Sequence, residues 1–153
     1  MDGIPNHCPA LLQSEKMQKK AAKVKFDFAS ANDALDKIQE ELNELRTACQ
    51  QNNGGNMEEE LGDLIFSAVN FARLKKMRSA EELLADANKK FAQRFRFVES
   101  ELARRGISWE NADAQLMDSL WQQAKQKSGS ISSHAARIPS RKYRTGLAKY
   151  KNF

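Results

Sequence analysis

The sequence predicts an all-α fold: about five helices in a bundle whose four-helix-type core is completed by homodimerisation. Three observations carry the all-α reading; the pairing of two copies rests on the third helix and on the resemblance given below. Apolar residues recur at three- and four-residue spacings along most of the chain. Proline is scarce, with three in 153 residues, so few points are closed to helix. Serine is followed three residues later by an acid at Ser30/Asp33 and Ser79/Glu82, which is a helix-starting pattern.

The first helix opens near Pro9, a residue tolerated in the first turn. Ala10, Leu11, Met17, Ala21 and Val24 supply its apolar positions. It carries a row of lysines at 16, 19, 20, 23 and 25, which reads as a solvated basic face or as a set reaching a phosphate-bearing ligand. Ser30 and Asp33 start the second helix, expected to run to about Gln50. Its stripe is Leu35, Ile38, Leu42 and Leu45.

The polar run Asn52-Asn53-Gly54-Gly55-Asn56 breaks the pattern. Asn56 with Glu59 then predicts the cap of a third helix, expected over about Met57 to Lys76. So short a connection makes the second and third helices antiparallel neighbours. Leu61, Leu64, Ile65, Ala68 and Ala72 form the third stripe. Phe66, Val69 and Phe71 make this helix apolar around much of its circumference, which calls for burial on more than one side and so for a second subunit.

Ser79 and Glu82 open the longest helix, expected to end at Gly106 in a glycine C′ position. Leu84, Ala87, Phe91, Phe95, Val98 and Leu102 are its stripe. Trp109 falls in the next loop. Asp113 caps a last helix carrying Leu116, Met117, Leu120, Trp121 and Ala124.

Composition bounds the rest. No apolar run reaches the 18 or so residues of a membrane span. The start lacks the basic-then-apolar pattern of a signal peptide. Cys8 and Cys49 have no metal-type spacing. Together these predict a cytoplasmic protein without membrane association. Residues 128–153 hold six basic residues and no acid, which exceeds the whole net charge of +5. They are expected to form a disordered basic tail, through which nucleic acid could be bound nonspecifically. Residues 1–7 read as a leader, and 8–127 as the folded domain.

The chemistry concentrates between Lys37 and Asp63. Glu41 and Glu44 are three apart, Glu40 and Glu44 four apart, and Glu60 and Asp63 three apart; each spacing shares a helix face. The acids border the apolar stripes instead of lying opposite them. Facing carboxylates at a packed seam repel unless a cation neutralises them, and oxygen-only ligands suit magnesium, or manganese. The bland alternative is a hairpin with solvated acidic faces. Lys37 lies one turn before Glu41 and either pairs with it or meets a phosphate.

Glu40-Glu41-x-x-Glu44, a spacer, then Glu60-x-x-Asp63 resembles the EExxE…ExxD signature of all-α nucleoside triphosphate pyrophosphohydrolases, in particular the MazG type. The runs QKKAAKVKFDF, ELGDLIF and ANKKFAQRFRFVE match in order, and the resemblance covers about residues 3 to 127. MDGIP resembles the linker before the second repeat of two-repeat MazG proteins.

The resemblance implies hydrolysis of a nucleoside triphosphate to monophosphate and pyrophosphate. It implies metal binding by Glu41, Glu44, Glu60 and Asp63, with Glu40 orienting or deprotonating water or serving as a shared ligand. It favours a phosphate role for Lys37. Substrate contacts are implied for Lys90 and Arg94 in the KFxxRF run and for Trp121 and Lys125 in the late W-x-x-x-K, and homodimerisation is implied too. Asn70, on the acid side of its helix, is a further candidate contact. KFDF stands where relatives commonly show GFDW. Lys25 for Gly and Phe28 for Trp keep a packing role for that stretch and weigh against its gripping a base. The alternative function is a non-catalytic helical dimer that binds through its basic tail.

Overall fold

Helix starts in this chain sit where a side chain or a proline can serve them. The computed structural model describes residues 3, 4 and 7–132, and these hold five α-helices, one 3-10 turn and no strand. The residues from 133 on, with the larger part of the basic stretch and His134, lie outside the described residues, as do 1, 2, 5 and 6 of the expected leader.

The helices are α1 (Ala10–Lys23), α2 (Ala31–Gln50), α3 (Gly54–Leu74), α4 (Ala80–Arg104) and α5 (Ala114–Ser132). Pro9 is the N-cap of α1. Ser30 and Asp33 form the expected reciprocal capping box on α2. At α4, Glu82 accepts from the Ser79 amide and hydroxyl, and Ser79 Oγ accepts from the Glu82 amide. Asp113 accepts from the Leu116 amide at 2.7 Å, capping α5.

Two boundaries differ from expectation. Asn53 caps α3 in place of Asn56: its Oδ1 accepts from the Asn56 amide at 3.4 Å, so Gly54 and Gly55 are the first helical turn and not part of the break. At the far end α5 runs past Lys127 to Ser132. Ser128 Oγ donates back to the Ala124 carbonyl at 2.5 Å and accepts from Arg94 Nε at 3.3 Å.

Four helices end in the same way. Lys25, Asn52, Lys76 and Gly106 follow α1, α2, α3 and α4 with φ of 64°, 51°, 53° and 66°. In each case the next residue's amide bonds the carbonyl five positions back: Phe26 to Ala21, Asn53 to Ala48, Met77 to Ala72 and Ile107 to Leu102. This is the Schellman closure, and three of the four left-handed positions are filled without glycine.

The chain divides into two units, Met1–Asp86 and Ala87–Phe153. In the first, α3 packs along α2 and against α1. Ala34, Ala48, Val69 and Ala72 are buried there, small side chains that let helices approach closely. Only part of the expected α3 stripe is buried: Ala72 is buried and Leu64 half-buried, whereas Leu61 and Ile65 are each 48% exposed, and Leu35 on α2 is 44% exposed. In the second unit Val98, Leu102 and Leu120 form the core, with Ile107, Ala112, Leu116 and Trp121 packed on it. An aromatic row lies beside that core. Phe91 stacks with Phe95 at 6.0 Å and meets Trp121 at 5.4 Å, and Phe95 stacks on Trp109 at 5.2 Å. Among the described residues no helix is long and apolar enough to cross a membrane.

Candidate active site

The helical hairpin delivers the acids as the spacing requires. Glu41, midway along α2, and Glu60 and Asp63, in the second and third turns of α3, each bring a carboxylate oxygen within 4.8 Å of the others. Two oxygens on one magnesium ion lie at most about 4.2 Å apart. The trio therefore fits a hard cation after a small inward movement of its side chains. Glu41 is 3% exposed, Glu60 half-buried and Asp63 exposed, so one ligand is fixed by packing and the others can adjust.

Lys37 holds the buried carboxylate. Its Nζ lies 2.7 Å from Glu41 Oε1 and 2.9 Å from Glu40 Oε1. Hydrogen bonds to Glu40 and Glu41 hold its ammonium well above the ordinary lysine range, so it is a cation at any physiological pH. A buried carboxylate without a partner is strongly destabilising, and this lysine supplies the partner. Glu60 is pushed the other way. Partial loss of solvent and then the charges of Glu44, Glu41, Glu59 and Asp63 raise its carboxyl above the usual range. Negative charge is thus in excess on the α3 side of the seam, which is the electrostatic condition for binding a cation.

Of the other residues singled out in the sequence, Glu44 is exposed and lies outside the trio, though its charge is the first among those acting on Glu60. Glu40 is half-exposed and engaged with Lys37. Lys90, Arg94, Trp121 and Lys125 belong to the second unit. There Lys90 is exposed on α4, Arg94 bonds Ser128, and Trp121 packs on the core with a buried Nε1 that has no hydrogen-bond partner among the described residues.

A cavity of about 670 Å³ opens beside the acids within the first unit, a volume in the range of small-molecule sites. Glu41, Asp63 and Lys37 line it, together with Lys25, Phe26, Asp27 and Phe28. The KFDF stretch, for which a packing role was expected, forms a wall of the cavity. Arg73 holds that wall to α3: both its Nη atoms bond Asp27, and its Nε and Nη2 donate to Asn70 Oδ1 at 2.9 and 2.6 Å. The Arg73 guanidinium holds the Asp27 carboxyl below the usual range.

Buried polar side chains complete the lining. Gln18, Ser67 and Asn70 all face the cavity and are all buried. Asn70 was legible as a candidate on the acid side of α3. Gln18, Ser67, Asp27 and Arg73 were not. The available signal was a polar residue inside an apolar stripe, Gln18 between Met17 and Ala21.

Residues 29–98 match the family model of the MazG nucleotide pyrophosphohydrolase domain. Over 129 residues the chain is 40% identical to the nucleoside triphosphate pyrophosphohydrolase of Escherichia coli K12, covering 83% of this chain and 49% of that protein. Residues 29–98 are a MazG domain. A Thermotoga maritima protein, named nucleoside triphosphate pyrophosphohydrolase/pyrophosphatase MazG, is 35% identical over 117 residues, 76% of this chain and 44% of its own length. Bacillus subtilis YabN, named as uncharacterized, is 37% identical over 71 residues, 46% of this chain and 14% of its own. The chain spans about half the length of the first two of these relatives. The matched MazG segment takes in α2, α3 and the larger part of α4, and so all five acids of the EExxE…ExxD pattern.

Proposed function

We propose that this MazG domain hydrolyses nucleoside triphosphates to monophosphate and pyrophosphate with the help of magnesium, or manganese. The convergence of Glu41, Glu60 and Asp63 beside a cavity of nucleotide size carries this reading, and the names of the relatives support it. Glu41, Glu60 and Asp63, with Glu44 next to them, would hold the ion. When bound, it polarises phosphate oxygens and offsets charge in the transition state.

The chain's own groups do the remainder. Lys37 turns its ammonium from the Glu41–Glu40 pair towards the phosphates, neutralising them and holding the chain in line. Glu40, half-exposed next to Glu41, orients the attacking water and takes its proton. The new bond joins that oxygen to the α phosphorus; the α–β anhydride breaks and pyrophosphate leaves. Lys90 and Arg94 are proposed phosphate contacts, Arg being suited to bidentate phosphate binding, and Trp121 and Lys125 are proposed nucleotide contacts.

Homodimerisation is part of the proposal. Leu61, Ile65 and Phe66 on α3 and Leu35 on α2 remain exposed in a single chain, and a second copy would cover them. A cytoplasmic setting and a role in controlling nucleotide pools follow as proposals from the activity.

The test is release of pyrophosphate from a panel of nucleoside triphosphates, with and without magnesium. The expected result is metal-dependent release with monophosphate as co-product. Release of orthophosphate, or silence across the panel from folded protein, would overturn the reading and favour the non-catalytic alternative.

A further inference from the structure

The cavity of the first unit has two kinds of lining. Glu41, Asp63 and Lys37 make one part ionic, while Met17, Ala21, Phe26 and Phe28 make another apolar. Gln18 and Asn70 add buried amides. Gln18 is 5% exposed, and its Nε2 donates to the Phe66 carbonyl at 2.9 Å. That bond settles which way the amide points, because turning it over would set oxygen against oxygen. Its Oε1 is therefore presented as an acceptor, and this oxygen is buried with no hydrogen-bond partner. No described residue satisfies it, whereas buried polar groups are normally paired.

Asn70, 8% exposed, is oriented in the same way. Its Oδ1 accepts twice from Arg73, which leaves Nδ2 as its remaining polar group. The cavity thus contains an acceptor whose sense is fixed by the protein and which waits for a donor.

We propose that Gln18 Oε1 receives an exocyclic N–H of the nucleobase, which makes Gln18 a specificity-determining residue. This rests on the nucleoside triphosphate reading above. A base fits better than a sugar hydroxyl. A hydroxyl can donate or accept by rotating and needs no oriented partner, and the aromatic and apolar side chains near Gln18 suit a planar ring. The base enters by shifting the side chains that cover Oε1. Binding then satisfies a group left unpaired in the free protein, and an isosteric base without the N–H leaves it unpaired. Sites built around a hydrogen bond reject such analogues more strongly than apolar pockets reject a change of size.

The experiment compares ligands that differ only at the donor. Adenosine triphosphate is paired with purine riboside triphosphate, which lacks the amine, and cytidine triphosphate with the pyrimidin-2-one riboside. All are used as α,β-methylene analogues and titrated calorimetrically with magnesium present. Wild-type protein is expected to bind the donor-bearing member of at least one pair about tenfold more tightly. In Gln18→Met, which keeps the length of the side chain and loses the acceptor, that ratio falls to about one. Equal affinities within both pairs in the wild type would overturn the inference whether or not the variant folds. So would an undiminished ratio in folded Gln18→Met. A wild-type ratio with no turnover of ordinary triphosphates would instead sink the pyrophosphohydrolase reading and leave base recognition standing. No binding of any member would overturn both.

Discussion

The two units bury different kinds of side chain. In the second, Val98, Leu102, Leu120 and Ala124 are buried and all are apolar. In the first, Gln18, Glu41, Ser67 and Asn70 are buried beside small residues. Burying polar groups without full compensation lowers stability, and it persists where the groups have work to do. The contrast teaches where the chain invests in cohesion and where in chemistry. The first unit holds an acid seam and a cavity, and the second holds an aliphatic core with an aromatic row.

The sharpest way to break this contrast is a pair of substitutions. Glu41→Gln is expected to lower magnesium-dependent turnover about 100-fold or more, with the helical circular dichroism nearly intact. Leu120→Ala, at a fully buried position, is expected to lower stability by about 2–5 kcal/mol in urea denaturation while turnover per folded molecule is kept. Turnover surviving in Glu41→Gln, or vanishing from folded Leu120→Ala, would show that the division of labour is wrong.

A smaller effect tests the cavity wall. Asp27 is held below its ordinary pKa chiefly by the Arg73 hydrogen bond. A depressed carboxyl contributes stability above its unfolded pKa, near 3.9 for Asp, and that contribution is lost as pH falls through the folded value. Asp27→Asn is therefore expected to be less stable than wild type by about 1–2 kcal/mol at pH 7. The gap should close on acidification below about pH 4, as read from urea midpoints across a pH series. A gap that persists at low pH would mean the pair does not hold the wall.

The smallest effect is a gain. Lys25 occupies a left-handed position with φ of 64°. Lys25→Gly should raise stability by about 1 kcal/mol, measured by thermal or urea denaturation. No gain there would show that the lysine side chain, which lines the cavity, contributes packing that offsets its backbone.

What could be read from the sequence was local. Ser30, Ser79 and Asp113 declare helix starts because the cap and its partner lie three residues apart. The acids of α2 and α3 declare a shared seam because helical spacing and a short connection leave few arrangements. What was misread depends on context. Gly54 and Gly55 read as breakers, yet Asn53 captures the free amide of Asn56 and starts the helix earlier. Leu61 and Ile65 read as core, but burial of a stripe depends on what packs against it, and α2 and α1 take the side of Val69, Asn70 and Ala72, of which the expected stripe held only Ala72. The cavity was invisible because its walls come from three helices and a loop. A single glutamine in α1 announces nothing until Phe66, 48 residues away, fixes its amide.

The bond from Lys37 to Glu41 has one more consequence. Under the proposed function the seam would behave as an ion exchanger: its buried carboxylate already carries the Lys37 ammonium, and a metal arriving there would compete with it instead of filling a bare charge. Metal alone would weaken that pair with nothing in return. Metal arriving with a polyphosphate would offer the ammonium a new anion. The two ligands would then be thermodynamically linked, each tightening the other, and the metal affinity proposed for this domain would be a property of the pair.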